Sequence, residues 1–260
     1  MRVFALIALT AGLFGVSNAA PGQSLPSDSA DAAHPTKQPV NYRAVVELFT
    51  SQGCSSCPKA DALLSRLAER EDVIALSLPV DYWDYLGWKD TLASPRFSER
   101  QRAYAQARGD GAIYTPQAVV NGLSHVNGGD ESAIGQNIEK TEKTLSASHV
   151  PIRMSEDKDH LIVETGPSQS GAAAKEATLW LAVIAQNVTV PITRGENQGK
   201  TITYSNVVRE LMPIGMWNGK PVTVELARHS FTRPGAEKCA VLLQQGKAGP
   251  IIGAAMLQQC

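Results

Sequence analysis

Cys54 and Cys57 are separated by two serines in Cys54-Ser55-Ser56-Cys57. Two thiols at that spacing can close a small disulfide and reopen it. If the motif opens a helix, the unpaired N–H groups and partial positive charge of the helix end stabilise a thiolate on the outer cysteine. They lower its pKa from the ordinary value of about 8.5. Cys54 is then expected to be the exposed attacking sulfur, and Cys57, further into the helix, the buried resolving sulfur. Attack by the Cys54 thiolate on a disulfide forms a mixed disulfide, which Cys57 releases. The same spacing also serves zinc sites and inert bridges, so the surrounding elements must decide.

Those elements favour a dithiol held between a strand and a helix. Ala44 to Phe49 is a short β-prone run, and Thr50 to Gly53 is a loop. After the cysteines, Ala60, Leu63, Leu64 and Leu67 recur at the spacing of one helix face. Pro58 falls in the first turn, where its missing N–H costs nothing. Val73 to Leu78 is a second buried strand, so the first unit reads strand, CxxC, helix, strand, with the crossover that parallel strands require. A longer helical stretch is predicted from Asp81 to Gly109. Thr115-Pro116 precedes a hairpin built on Asn121-Gly122, and an amphipathic helix ends near Ser148. From Ile152 to Leu257 the chain reads as short β-prone runs divided by Gly, Asn and Pro, an antiparallel sandwich of seven or eight strands. A domain boundary is expected near residue 149.

Other residues carry weaker signals. Glu47 interrupts an apolar strand. It is either a buried carboxylate that takes the Cys57 proton or a strand-edge glutamate paired with a surface cation. Tyr82, Trp83, Tyr85 and Trp88 crowd one stretch after the second strand. Most of these rings are expected to seal the helical insert onto the sheet, with Tyr82 and Trp83 the candidates for a substrate groove. Arg194-Gly195-Glu196-Asn197-Gln198-Gly199 reads as a turn, with a recognition loop as the alternative. Cys239 and Cys260 are candidates for a structural disulfide stapling the last hairpin. A closed zinc site wants four ligands, and the chain offers no second CxxC and no paired histidines. Two thiolates do suit Cu(I), with His125 the nearest third ligand, although a hydrogen-bonded strand histidine explains His125 more simply. No metal and no cofactor is expected in the resident site.

The chain has 260 residues and a formal net charge of −1, with 43% apolar residues, enough for a substantial core. No basic excess points to nucleic acid or to an anionic membrane surface. Residues 1–19 have the charged start, short apolar run and small-residue end of a cleavable signal peptide, and 20–40 read as a flexible linker. A periplasmic or secreted location follows, where cysteines tend to pair.

The run Val45 to Pro58, with Asp81-Tyr82-Trp83-Asp84-Tyr85-Leu86-Gly87-Trp88 and Tyr114-Thr115-Pro116-Gln117, resembles a family of exported bacterial thioredoxin-like proteins known as a domain of unknown function. The resemblance continues through Arg194 to Asn197 and Tyr204 to Arg209. It implies an α/β thioredoxin-like domain with a helical insert (41–149), followed by a mainly antiparallel β-sandwich domain (150–260). It implies no established substrate. In a thioredoxin-like fold the position of Pro116 holds a cis-proline facing the dithiol, and Thr115 lies where substrate docks. The loop Phe49 to Gly53 is also similar to that of glutaredoxins. Ser55-Ser56 is neither the Gly-Pro of thioredoxin nor the Pro-Tyr or Pro-His of common oxidants, and these inner residues help set the redox poise.

The expected activity is thiol-disulfide exchange by Cys54 and Cys57 on a disulfide-bearing protein or small thiol substrate, together with a redox partner. The alternatives are a redox-inert binding module with a structural Cys54–Cys57 bridge and a Cu(I) carrier.

Overall fold

β1 (Ala44–Thr50) is buried over its whole length, as a strand with covered faces on both sides must be. Val46 and Leu48 face one layer, and Val45 and Phe49 the other. The computed structural model describes residues 42–169 and 175–260. The signal-peptide and linker expectations for 1–40 lie outside them.

Helix α1 (Cys57–Ala68) follows β1 with Pro58 in its first turn. It crosses to β2 (Val73–Pro79), which pairs parallel with β1 from Ala44↔Val73 to Thr50↔Pro79. The expected long helical stretch is shorter than its composition suggests. A single 3₁₀ turn, Asp84–Leu86, ends at Gly87 with φ +87°, and α2 (Pro95–Arg108) begins only after an irregular segment. β3 (Gln117–Val120) and β4 (Ser124–Asn127) form the hairpin around Asn121-Gly122, and α3 (Glu131–Leu145) is capped by Asp130, which accepts from the Ala133 N–H.

Beyond α3 come β5 (Ile152–Glu156), β6 (His160–Thr165), β7 (Ala177–Pro191), β8 (Thr201–Trp217) and β9 (Val222–Ala227). The one-turn α4 (Arg228–Phe231), β10 (Lys238–Gln245) and β11 (Ile251–Leu257) complete the chain. An eight-stranded sheet runs β11-β10-β7-β8-β2-β1-β3-β4, and a separate three-stranded sheet runs β5-β6-β9. This is a mixed α/β sheet with few helices and a large antiparallel section.

The sheet crosses the boundary expected near residue 149. β8 pairs parallel with β2 at Ser77↔Val207, so both halves share one sheet, and 42–260 fall within one unit. Pro213 and Gly215 break the β-prone pattern inside β8. The observed strand tolerates them beside register shifts in its partner β7. Asn206, at φ +47°, donates its side-chain amide to the Ala75 carbonyl of β2 at 3.0 Å, next to the Ser77↔Val207 pair. On one face of the sheet α1 and α3 pack over β1 to β3, and the three-stranded sheet packs over β7 and β10. On the other face α2 lays Phe97 and Tyr104 against both halves. The disulfide Cys239–Cys260, with Cα atoms 5.7 Å apart, ties the start of β10 to the residues after β11.

Candidate functional site

The loop from β1 into α1 is built on hydrogen bonds of its own. Cys54 N–H donates to the Ser51 carbonyl at 3.2 Å, and Cys57 N–H donates to the Cys54 carbonyl at 3.2 Å. This places Cys57 as the first residue of α1 and Cys54 just before it. The two are joined by a disulfide with Cα atoms 5.4 Å apart. Ser56 Oγ lies 3.4 Å from Cys54 Sγ, within reach to donate to that sulfur. A hydroxyl donor at a thiolate favours the charged form.

Cys57 is fully buried, as expected, but Cys54 is only 3% exposed. This differs from the exposed sulfur read from the sequence. Two segments far along the chain close over it. In the first, Trp83 lies against the loop, since a Cβ placed on Gly53 would sit 3.0 Å from Trp83 Cβ. The Trp83 indole N–H donates to Thr115 Oγ1 at 2.7 Å, linking the Cys54 loop to Thr115-Pro116. The Thr115-Pro116 peptide is cis. Gly128 N–H donates to the Pro116 carbonyl, and a Cβ on Gly128 would meet Pro116 Cβ at 3.2 Å and Ala60 Cβ at 3.3 Å. Pro116 therefore sits beside the first turn of α1. Thr115, Pro116 and Trp83 are all brought to the dithiol.

Tyr82 lies beside Trp83, with ring centroids 6.0 Å apart, and its hydroxyl also has Thr115 as a hydrogen-bond neighbour. Its ring packs into the core over α2, and its hydroxyl donates to Gln101 Oε1 at 3.1 Å. The exposed ring beside Trp83 is Tyr85, 77% exposed and stacked on it at 6.3 Å between centroids.

The second segment is the β7–β8 loop, read from sequence as a turn. Asn197, fully buried, donates from Nδ2 to the carbonyls of Gln52 and Cys54, both at 2.9 Å. Ser55 N–H donates to Glu196 Oε2 at 3.3 Å. Gln52 joins the pieces. Its Oε1 accepts from the Trp88 indole at 2.8 Å, and its N–H donates to Asp90 Oδ2 at 2.7 Å. No local pattern announces contacts that span this much sequence.

Glu47 does not serve Cys57. Along β1 it shares the face of Val45 and Phe49, whereas α1 packs on the face of Val46 and Leu48. Its carboxylate takes a two-point ion pair from Arg100, at 2.6 and 3.2 Å, and accepts from the Tyr104 hydroxyl. Burial opposes the Arg100 charge, and Glu47 together with Tyr104 more than reverses that effect.

The buried acid near Cys57 is Asp61. It lies four residues on along α1 and so on the same helix face, with Cβ atoms about 5–6 Å apart. Thr50 Oγ1 donates to its Oδ1 at 2.7 Å, while Oδ2 has no hydrogen-bond partner among the described residues. Burial pushes its pKa up to about 8; the Thr50 hydroxyl opposes this, and the charge of Asp90 adds to it. Desolvation likewise raises Asp90, against the backbone N–H groups of Gln52, Leu92 and Ala93. Tyr204 of β8, also buried, is raised by burial and by both carboxylates. The readable signal for Asp61 was an acid one turn past Cys57 on an otherwise apolar face.

Asp61 makes stability depend on pH in a defined direction. Its folded pKa lies above its unfolded value of about 3.9, so the folded chain holds the extra proton between them. Its contribution is intact below pH 4 and is lost as pH rises toward 8. Asp61→Asn is expected to remain more stable than the native protein above pH 8 by a few kcal/mol, with about 6 kcal/mol as the ceiling. The gap should close near pH 4. Denaturant midpoints across this range check it, and a gap independent of pH contradicts it.

His125 has both ring nitrogens engaged, Nδ1 with the Tyr114 hydroxyl at 2.8 Å and Nε2 with Asp110 at 3.1 Å. Among the described residues no group of three His, Cys, Asp or Glu is placed to hold a metal ion. Nor is any described helix long and apolar enough to cross a membrane.

Four similarities bear on this site. The model of a family described as "Protein of unknown function (DUF1223)" matches residues 45–244. A probable thioredoxin from Archaeoglobus fulgidus is 46% identical over 37 residues, a match covering 14% of this chain and 41% of that relative's length. A crystal structure of a protein from Agrobacterium tumefaciens is 37% identical with a TM-score of 0.74, covering 84% of this chain and 94% of the other. HBP35 of Porphyromonas gingivalis, 16% identical with a TM-score of 0.58 over 86% of this chain and 76% of its own, shares the fold alone. The short thioredoxin similarity and the Cys54–Cys57 disulfide together point to a redox-related role.

Proposed function

The chain belongs to the DUF1223 family of proteins of unknown function, and we propose that it is an exported thiol-disulfide oxidoreductase on a thioredoxin-like scaffold. The observation that carries this reading is a Cys54–Cys57 disulfide at the start of α1, with Thr115-Pro116 alongside and a proton acceptor one turn behind. An inert bridge needs none of that company.

In the reducing direction the Cys54 thiolate attacks one sulfur of a substrate disulfide. A mixed disulfide forms and the first substrate thiolate leaves. Cys57 then gives its proton to Asp61 and attacks Cys54 Sγ. The Cys54–Cys57 bond forms, the second substrate thiolate leaves, and two electrons have passed to the substrate. A dithiol donor restores the reduced pair. Asp61 suits its part because an acceptor titrating near the working pH is most effective. Trp83 and Tyr85 supply an aromatic ledge beside the cysteines for a peptide or small thiol. The export signal in residues 1–19 suggests the periplasm or the cell exterior, where such exchange has substrates.

The test is dithiothreitol-driven reduction of a protein disulfide. The native protein is expected to turn over, and Cys54→Ala to be inactive. Equal inactivity of both across protein and small disulfides would remove the reading in favour of a binding module.

A further inference from the structure

The β7–β8 loop brings a carboxylate to the dithiol from the other half of the chain. Asn197 is fully buried and anchors the loop through two carbonyls of the Cys54 loop, and Lys200 Nζ holds Asn197 Oδ1 at 2.8 Å. Gly195, at φ +77°, comes so close to Trp88 that a Cβ would lie 3.1 Å from the Trp88 Cβ. The loop is thus fastened on two sides, and Glu196 lies between the anchors. Its Oε2 accepts from Ser55 N–H, an amide between the two cysteines and just ahead of the Ser56 N-cap of α1. A helix start ordinarily attracts anions. Here the chain's own carboxylate occupies that position.

We infer that Glu196 is a specificity residue of the dithiol site, which disfavours disulfides flanked by negative charge and favours those flanked by positive charge. The inference rests on the redox reading above. Any substrate reaching Cys54 Sγ must bring its sulfur within bonding distance, and hence its neighbouring charges close to Glu196. Lys200 is engaged with Asn197, and the stem of Lys59 lies along Gly129. A comparison of Glu196 with glutamine isolates the one charge from these cations. Because Glu196 is exposed, the effect is solvent-screened and falls with salt.

The experiment follows single-turnover oxidation of the reduced full chain by three small disulfides: cystamine (cationic), glutathione disulfide (anionic) and hydroxyethyl disulfide (neutral). In each case two protein thiols become the Cys54–Cys57 disulfide and the probe is reduced to two thiols. Dividing by the neutral-probe rate removes changes in intrinsic thiolate reactivity or loop position. At low salt, Glu196→Gln is expected to lower the cystamine-to-glutathione rate ratio by about fivefold, with most of the difference gone at about 0.5 M salt. Glu196→Asp, which keeps the charge, is expected to retain most of the ratio. An unchanged ratio in Glu196→Gln overturns the inference while leaving the dithiol reading intact. Failure of hydroxyethyl disulfide to oxidise the native protein overturns both.

Discussion

Reduced protein carrying Cys57→Ala will hold its disulfide partner as a stable mixed disulfide on Cys54, whereas Cys54→Ala will trap none. Both variants should lose turnover by at least about a hundredfold, because each removes one of the two consecutive sulfur transfers. The asymmetry between them comes from position. Cys54 precedes α1, with the Ser56 hydroxyl 3.4 Å from its sulfur and the helix start beside it. Cys57 is wholly buried, with Asp61 one helical turn further along α1. Intact-mass measurement after mixing with a small disulfide distinguishes the two variants. Equal trapping on both would show that the sulfurs are interchangeable, and the assigned roles would fall.

The second large effect lies away from the dithiol. Arg100→Met should destabilise the fold by about 3–5 kcal/mol, the usual result of leaving one partner of a buried ion pair alone. Glu47, 1% exposed, would lose its two-point contact, and Gln244 would lose the guanidinium that donates to its Oε1 at 3.0 Å. The Tyr104 hydroxyl would remain shared between Glu47 and Gln244 Nε2. Glu47→Leu combined with Arg100→Met should recover more than half of the loss, because apolar side chains fill such a site without an unpaired charge. Denaturant midpoints for the two singles and the double give the coupling. A single-variant loss under about 1 kcal/mol would mean that the pair is solvated or replaceable. Since Gln244 lies on β10 and Arg100 on α2, this network fastens the C-terminal strands to the helical layer.

What was legible in the sequence follows from the range of the interactions. The strand–CxxC–helix–strand unit, the Asn121-Gly122 hairpin and the Cys239–Cys260 pairing rest on local patterns, and the structure has each of them. The facing of Glu47 was obscured because β1 is buried on both sides, so periodicity does not say which layer a polar residue meets. Arg100 and Tyr104, spaced one helical turn apart on α2, are the partners that decide it. The continuity of the sheet was hidden because β8 joins β2 through a single residue pair, with the Asn206 side chain adding a bond to the Ala75 carbonyl. The same long-range joining brings Asn197 and Glu196 to the cysteines. The β-rich half is therefore part of the candidate site, and the near-burial of Cys54 is its visible consequence.

The reduction potential of the Cys54–Cys57 pair, measured on the full chain against a glutathione buffer, tests the redox reading most directly. An exchanging dithiol is predicted to lie above about −300 mV, within reach of cellular thiol pools. A potential well below about −300 mV, with the pair still oxidised in excess reduced glutathione, would identify an inert structural bridge and contradict the account.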